Sequence, residues 1–182
     1  MDQTPPRTHP DMWVDPADDP RDAGEPPSRG ERAVVLDYLR VYRLTFEMKL
    51  EGLDAEQLAR RSVPPSELSL LGLLRHLAKV EHSWCRRVVQ RDLDLPQLFA
   101  RQEDFDGAVA DDEVVAAAWE AWRREVAHAE QVYAAASFDD LGLHPGGELE
   151  LRDVLVHLVE EYARHCGHAD LLRECIDGRT GQ

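Results

Sequence analysis

Residues 151–178 read LRDVLVHLVEEYARHCGHADLLRECIDG. At 3.6 residues per turn, Leu151, Val154, Leu158, Tyr162, Ala169, Leu172 and Ile176 all point within about 60° of one direction. Such a stripe marks a long amphipathic helix with one buried face. Gly178 follows as its stop. His165 lies at the centre of the stripe. Glu161 and His168 flank it on one side, and His157 lies further round on that side. Four ionisable groups thus line the buried edge of one helix. Burying them costs several kcal/mol unless each finds a partner or a metal.

The same period recurs upstream. A second segment, from Ser66 or Ser69 to about 90, carries Leu70, Leu73, Leu74, Leu77, Val80 and Trp84 on one side. Either serine suits a helix cap. His76 falls at the edge of that stripe, and Glu81 lies on it. An earlier segment, about 32–50, carries Val35, Leu36, Leu39, Tyr42, Leu44 and Phe46 and ends before Gly52. A later one, about 111–136, carries Val115, Ala118, Trp119, Trp122, Val126, Ala129 and Val132 behind acids that suit a helix N-terminus. Between them lie a short helical turn near 54–60, a break at Pro64 and Pro65, a stretch at 91–110 without clear period, and a turn-rich connector at 137–149. No strand-like alternation stands out. Four long amphipathic helices in one domain predict an all-α four-helix bundle over 31–182. Its expected path is up-down-up-down, with one longer connection at 91–110.

Residues 1–30 differ in texture. Seven of the eleven prolines fall there, and Trp13 and Val14 are its main apolar pair. This composition predicts a flexible N-terminal arm that adds little stability. The alternative is that Trp13 docks on the domain or on a partner.

Composition narrows the function class. The chain has 182 residues and a formal net charge of −15, from 36 acids and 21 bases. Such a surface repels phosphate backbones and anionic membranes, which argues against nucleic-acid binding. No apolar run reaches the ~18 residues of a spanning helix. No basic-then-apolar leader is visible, and three cysteines without a C-x-x-C pair fit free thiols in a reducing cytosol. A cytoplasmic location is the expectation. Of the 21 bases, only Lys49 and Lys79 are lysines, which together with abundant Ala points to a GC-rich genome.

His76 on one helix and Glu161 with His165 on another make a candidate three-ligand metal site. Three protein ligands with an open position is the arrangement of catalytic zinc, and nickel, iron or manganese accept the same donors. The competing reading is a water-joined polar network of the same residues. Glu81 is expected to pair with a buried arginine such as Arg164 or Arg173. Cys166 reads as an inert buried thiol and Trp119 and Trp122 as core. His82, His128 and His144 have no evident companions.

The strings LSLLGLLRHLAKVEHSW (68–84) and EEYARHCGHADLLRECIDG (160–178) resemble the DinB superfamily of metal-binding four-helix bundles. ERAVVLDYLRVYRLTFEMKLEGLD (31–54) is similar to the opening helix of its actinobacterial branch of mini-circle-protein-like domains of unknown function. The resemblance implies a divalent metal, zinc or nickel, held by His76 and by the pair Glu161 and His165. Many members carry His where Glu161 stands; the mycothiol-dependent maleylpyruvate isomerases are similar in using Glu. His168 stands where many members have Gln. The ligand set is therefore His76 with either Glu161 and His165 or His165 and His168. The resemblance further implies mycothiol as a thiol cofactor, a small electrophile as substrate, S-transfer or isomerisation as the reaction, and a homodimer. His168 or Tyr162 would then move a proton. Hydrolysis by metal-activated water and a non-enzymatic metal-binding bundle are the alternatives.

Overall fold

In a computed structural model, residues 11–22 and 27–181 are described. The four long helices are α1 (Glu31–Leu50), α3 (Leu70–His82), α5 (Asp112–Ala135) and α6 (Leu151–Asp177), with a short α2 (Ala55–Ala59) and α4 (Glu103–Asp106). A π-helical turn, Ser83–Val89, prolongs α3. The caps follow the sequence. Ser69 accepts from the Gly72 amide, Asp111 from the Glu113 amide, and Asp54 with Gln57 forms a reciprocal capping box. Gly178 ends α6 at φ 76°, a conformation that glycine adopts without steric cost. The all-α bundle expected from the periodicity is the fold.

The path through the bundle differs from the expected one. Arg152 near the start of α6 contacts Glu31 at the start of α1, and Lys49 near the end of α1 contacts Asp170 late in α6, so these two run parallel. Along α3 and its π extension, Arg86 meets Glu125 and Gln90 meets His128, so α3 and α5 also run parallel. Arg32 reaches the Ala136 carbonyl, while Glu47 pairs with Arg123, so α1 and α5 are antiparallel. The order is up-down-down-up. Parallel neighbours require the chain to return to the same end, and the connection at 90–111 is long enough to cross the ~30 Å of a 20-residue helix.

Two short elements carry no helical period and were not expected. One is α4. The other is a hairpin of β1 (Leu141–His144) and β2 (Gly147–Glu150), paired from Leu141↔Glu150 to His144↔Gly147 around Pro145 and Gly146. It docks on the π turn where Gly142 lies so close that a Cβ would be 3.0 Å from the Val88 carbonyl oxygen.

The core is built mainly from α3 and α6. Leu70, Leu71, Leu73, Leu74 and Leu77 from α3 share one buried cluster with Val154, Leu155, Leu158 and Tyr162 from α6 and Phe46 from α1. Trp122, expected in the core, is 3 % exposed and buried within its own chain.

The docking alternative for Trp13 is the one realised. Its indole is 2 % exposed, with Lys49 Nζ and the Arg179 guanidinium each 4.0 Å from the ring centroid and that of Arg173 at 5.3 Å. An aromatic face attracts cations, which is how a proline-rich segment with one large apolar group finds a place. The rest of the expected arm, 1–10 and 23–26, lies outside the described residues. Among the described residues no helix is long and apolar enough to cross a membrane.

Candidate metal centre

Contacts of His76 with Glu161 and His165, and of Trp84 with His157, show that α3 and α6 run antiparallel. Their shared seam brings together three residues that the sequence singled out. His76, Glu161 and His165 each offer one donor atom, and these atoms lie within 4.8 Å of one another. Glu161 is the hub. Its Oε2 is 3.3 Å from His165 Nε2 and 3.8 Å from His76 Nε2. Its other oxygen, Oε1, is 3.4 Å from His157 Nε2.

Both imidazoles use Nδ1 elsewhere and turn Nε2 inward. His76 Nδ1 is 3.0 Å from Asp104 Oδ2, and His165 Nδ1 is 3.2 Å from His168 Nδ1. An ionised carboxylate can only accept, so the Asp104 contact keeps a proton on His76 Nδ1, and Nε2 is the nitrogen left to bind an ion when the ring is neutral. His168 therefore sits behind His165, bonded to the nitrogen that faces away from Glu161.

Electrostatics agree with this geometry. Hydrogen bonds from His165 and then His76 hold the Glu161 carboxyl well below the usual carboxylate range, against the effect of burial. Burial alone would depress His76, yet the Glu161 and Asp104 carboxylates more than offset it and raise its pKa. Asp104, pushed up by burial, is brought below its ordinary value by His76 and Lys79. Burial and the neighbouring His165 and Arg164 lower His168. Two imidazole nitrogens and one carboxylate oxygen fit a divalent ion in donor type and in convergence.

Tyr162 lies elsewhere. It is fully buried; its hydroxyl donates to Glu81 Oε1 at 2.8 Å and accepts from Trp122 Nε1 at 2.8 Å. Glu81 does pair with a buried arginine, but with Arg43 rather than Arg164 or Arg173. Arg164 pairs with Glu160, and Arg173 binds Asp177 and the carbonyls of Lys49 and Glu51. Cys166 is buried beside the Tyr42 carbonyl, and burial pushes its thiol up to about 12. His144, for which the sequence offered no companion, stacks on Trp84 at 5.6 Å and 6°, and His157 approaches the same indole at 4.4 Å.

Asp104 is the residue that the sequence did not offer. It lies in a single helical turn, too short to show a period, inside the stretch read as a loop. No local signal distinguishes it from the other acids of 91–110.

The family model described as Mycothiol-S-transferase matches residues 34–178. No curated protein and no solved structure matches the chain. The matched stretch takes in α3, α5, α6, most of α1 and every residue of the cluster, and the chain belongs to that family.

Proposed function

We propose that this member of the mycothiol S-transferase family holds one divalent ion, zinc or nickel, through His76, Glu161 and His165, and joins mycothiol to a small electrophile there. The observation that carries the reading is the convergence of two Nε2 atoms on one Glu161 oxygen. The ligand side chains keep part of their surface, 24 % for His76, 20 % for Glu161 and 10 % for His165, so the centre opens toward solvent on one side. Catalytic ions need such an open position, whereas structural ones are enclosed.

An ion bound there would lower the pKa of a coordinating thiol and make it a nucleophile at neutral pH. The nucleophile is assigned to a thiol from outside the chain, because Cys85 and Cys166 are buried, with thiols pushed up to about 12, and the exposed Cys175 is, like them, not part of the donor cluster. In S-transfer the sulfur forms a bond to the electrophilic carbon. The leaving group departs with its electron pair, and the thiol proton ends on that group or on water. The chain's part is to fix geometry. Glu161 offers one oxygen to the ion and keeps the other toward His157. His168 holds His165 from behind, a role its bond to Nδ1 favours over proton transfer. Tyr162, with both hydroxyl bonds committed in the core, braces α6 instead of moving a proton.

Protein loaded with zinc or nickel, desalted and submitted to elemental analysis, should retain one ion per chain. His76→Ala and His165→Ala should retain none, and His128→Ala, at a half-buried residue away from the cluster, should match the parent. Calorimetric titration with mycothiol should then show binding only to the loaded protein. Loss of the ion on desalting would leave the cluster as a polar network. A retained ion with no thiol binding would make the bundle a non-enzymatic metal protein.

A further inference from the structure

Between α3 and α5 the chain makes the single turn α4, and α3 grips it at three points. Arg75 Nε donates to the Asp104 carbonyl at 2.9 Å, and its Nη2 donates to the Glu103 carbonyl at 2.9 Å. The Phe105 ring fills the space left by Gly72, where a Cβ would lie 3.0 Å from Phe105 Cδ1. The same ring stacks on His76 with centroids 5.2 Å apart and planes at 27°. The third grip is the Asp104 side chain, which binds His76 through Oδ2 and faces Lys79 Nζ through Oδ1 at 3.3 Å.

Gly72, Arg75, His76 and Lys79 fall at i, i+3, i+4 and i+7, on one face of α3. The face that offers a donor to the metal centre is thus the face that binds α4. At 3 % exposure Asp104 is withdrawn from solvent, and both its oxygens have partners. A solvated surface acid needs no such fitting.

We propose that α4 is a positioning clip for the metal centre, in which Asp104 and Phe105 lock the His76 ring so that Nε2 faces Glu161 and His165. The inference rests on the metal-binding reading above. Asp104 sets the tautomer, because a carboxylate on Nδ1 requires the proton there. Phe105 sets the ring plane, since the broad χ2 torsion of histidine is otherwise weakly fixed. His165 and Glu161 have weaker counterparts, with His168 at 3.2 Å and His157 at 3.4 Å. Among the described residues, only His76 of the three is held by a separate segment of chain, α4.

The test uses the full chain and zinc or cobalt(II) alone, with affinity from chelator competition and geometry from the cobalt absorption bands. Asp104→Ala should weaken zinc binding by about ten- to a hundredfold and alter the cobalt bands, and Asp104→Asn, which keeps an acceptor, should recover most of that loss. Lys79→Met, which removes the other partner of Asp104, should stay within about threefold of the parent, since it touches no ligand. Nitrogen-15 NMR of the zinc-bound parent should find the His76 proton on Nδ1. Equal losses in Asp104→Ala and Lys79→Met would reduce Asp104 to an anchor of the connection and overturn the clip. Unchanged affinity in Asp104→Ala, or zinc bound through Nδ1, would also overturn it. A parent chain that binds no zinc would instead bring down the metal-binding reading, and the clip with it.

Discussion

Arg43 and Glu81 meet as a two-pronged pair across the core, Nε to Oε1 at 2.8 Å and Nη2 to Oε2 at 2.8 Å. Glu81 is fully buried and Arg43 is 5 % exposed. Through Tyr162 and Trp122 the pair continues into a chain of bonds that touches α1, α3, α6 and α5 in turn. Removing Arg43 strands the Glu81 charge away from water, and removing Glu81 leaves the buried Arg43 with the longer contact to Glu130 at 3.4 Å. Glu81→Ala should therefore lower unfolding free energy by about 3–5 kcal/mol, and Arg43→Ala by a similar amount. Urea denaturation measures both. The double change Arg43→Met with Glu81→Leu should be milder than either single change, because no charge is left unpaired. Single-variant losses below about 1 kcal/mol would show that water reaches the pair.

Trp13 ties the N-terminal segment to the C-terminal ends of α1 and α6 together, through Lys49 at the end of α1 and through Arg173 and Arg179 at and beyond the end of α6. Its backbone takes part as well, the Trp13 carbonyl accepting from Arg179 at 3.0 Å. Trp13→Ala should cost about 3 kcal/mol, in the range for a buried aromatic. For a chain of this size that corresponds to roughly 6–12 °C in Tm. A chain beginning at Glu31 should lose at least as much. Scanning calorimetry that finds both within about 1 °C of the parent would leave the segment as the loose arm its prolines predict.

The long helices were legible because each repeats a 3.6-residue period over several turns, with capping residues at the expected ends. The hairpin and α4 were not, because four residues hold no period. The parallel placement of α3 and α5 was not legible either. A 20-residue connection permits a return to the same end without requiring it. At the site, His76, Glu161 and His165 stood out because each is a costly group on an apolar stripe or at its border. His168 stood out for the same reason, and only its bond to His165 Nδ1 separates it from the converging donors. Asp104 is contributed by tertiary packing alone. Glu81 showed as a buried charge, but its partner depends on helix order, which the sequence leaves open.

The three cysteines should differ sharply in reactivity. Cys85 and Cys166 are buried, and burial pushes both thiols up to about 12, whereas Cys175 is exposed. Thiolate is the reacting form, so at pH 8 one thiol per folded chain should titrate quickly with a disulfide reagent. All three should titrate in denaturant. Rapid reaction of two or more in the folded state would mean that Cys85 or Cys166 opens to solvent. It would also readmit a protein thiol as the nucleophile.

Metal retention should depend on pH in a direction set by His76. Its imidazole sits between the Glu161 and Asp104 carboxylates, and these raise its pKa above the ordinary value of 6.5 despite burial. The protonated form is therefore the favoured one in the metal-free protein to a higher pH than usual. A divalent ion needs the neutral ring, so it must displace that proton. Glu161, held well below the usual carboxylate range by His165 and His76, stays ionised and does not set this limit. As pH falls from 9 toward 6, zinc affinity should decline, and the decline should begin above the 6.5 midpoint of a free imidazole. Asp104→Asn removes one of the two charges that hold the proton, so the onset should move to lower pH. Chelator competition at a series of pH values measures both curves. An affinity that is flat down to pH 6 would show that His76 is not a ligand.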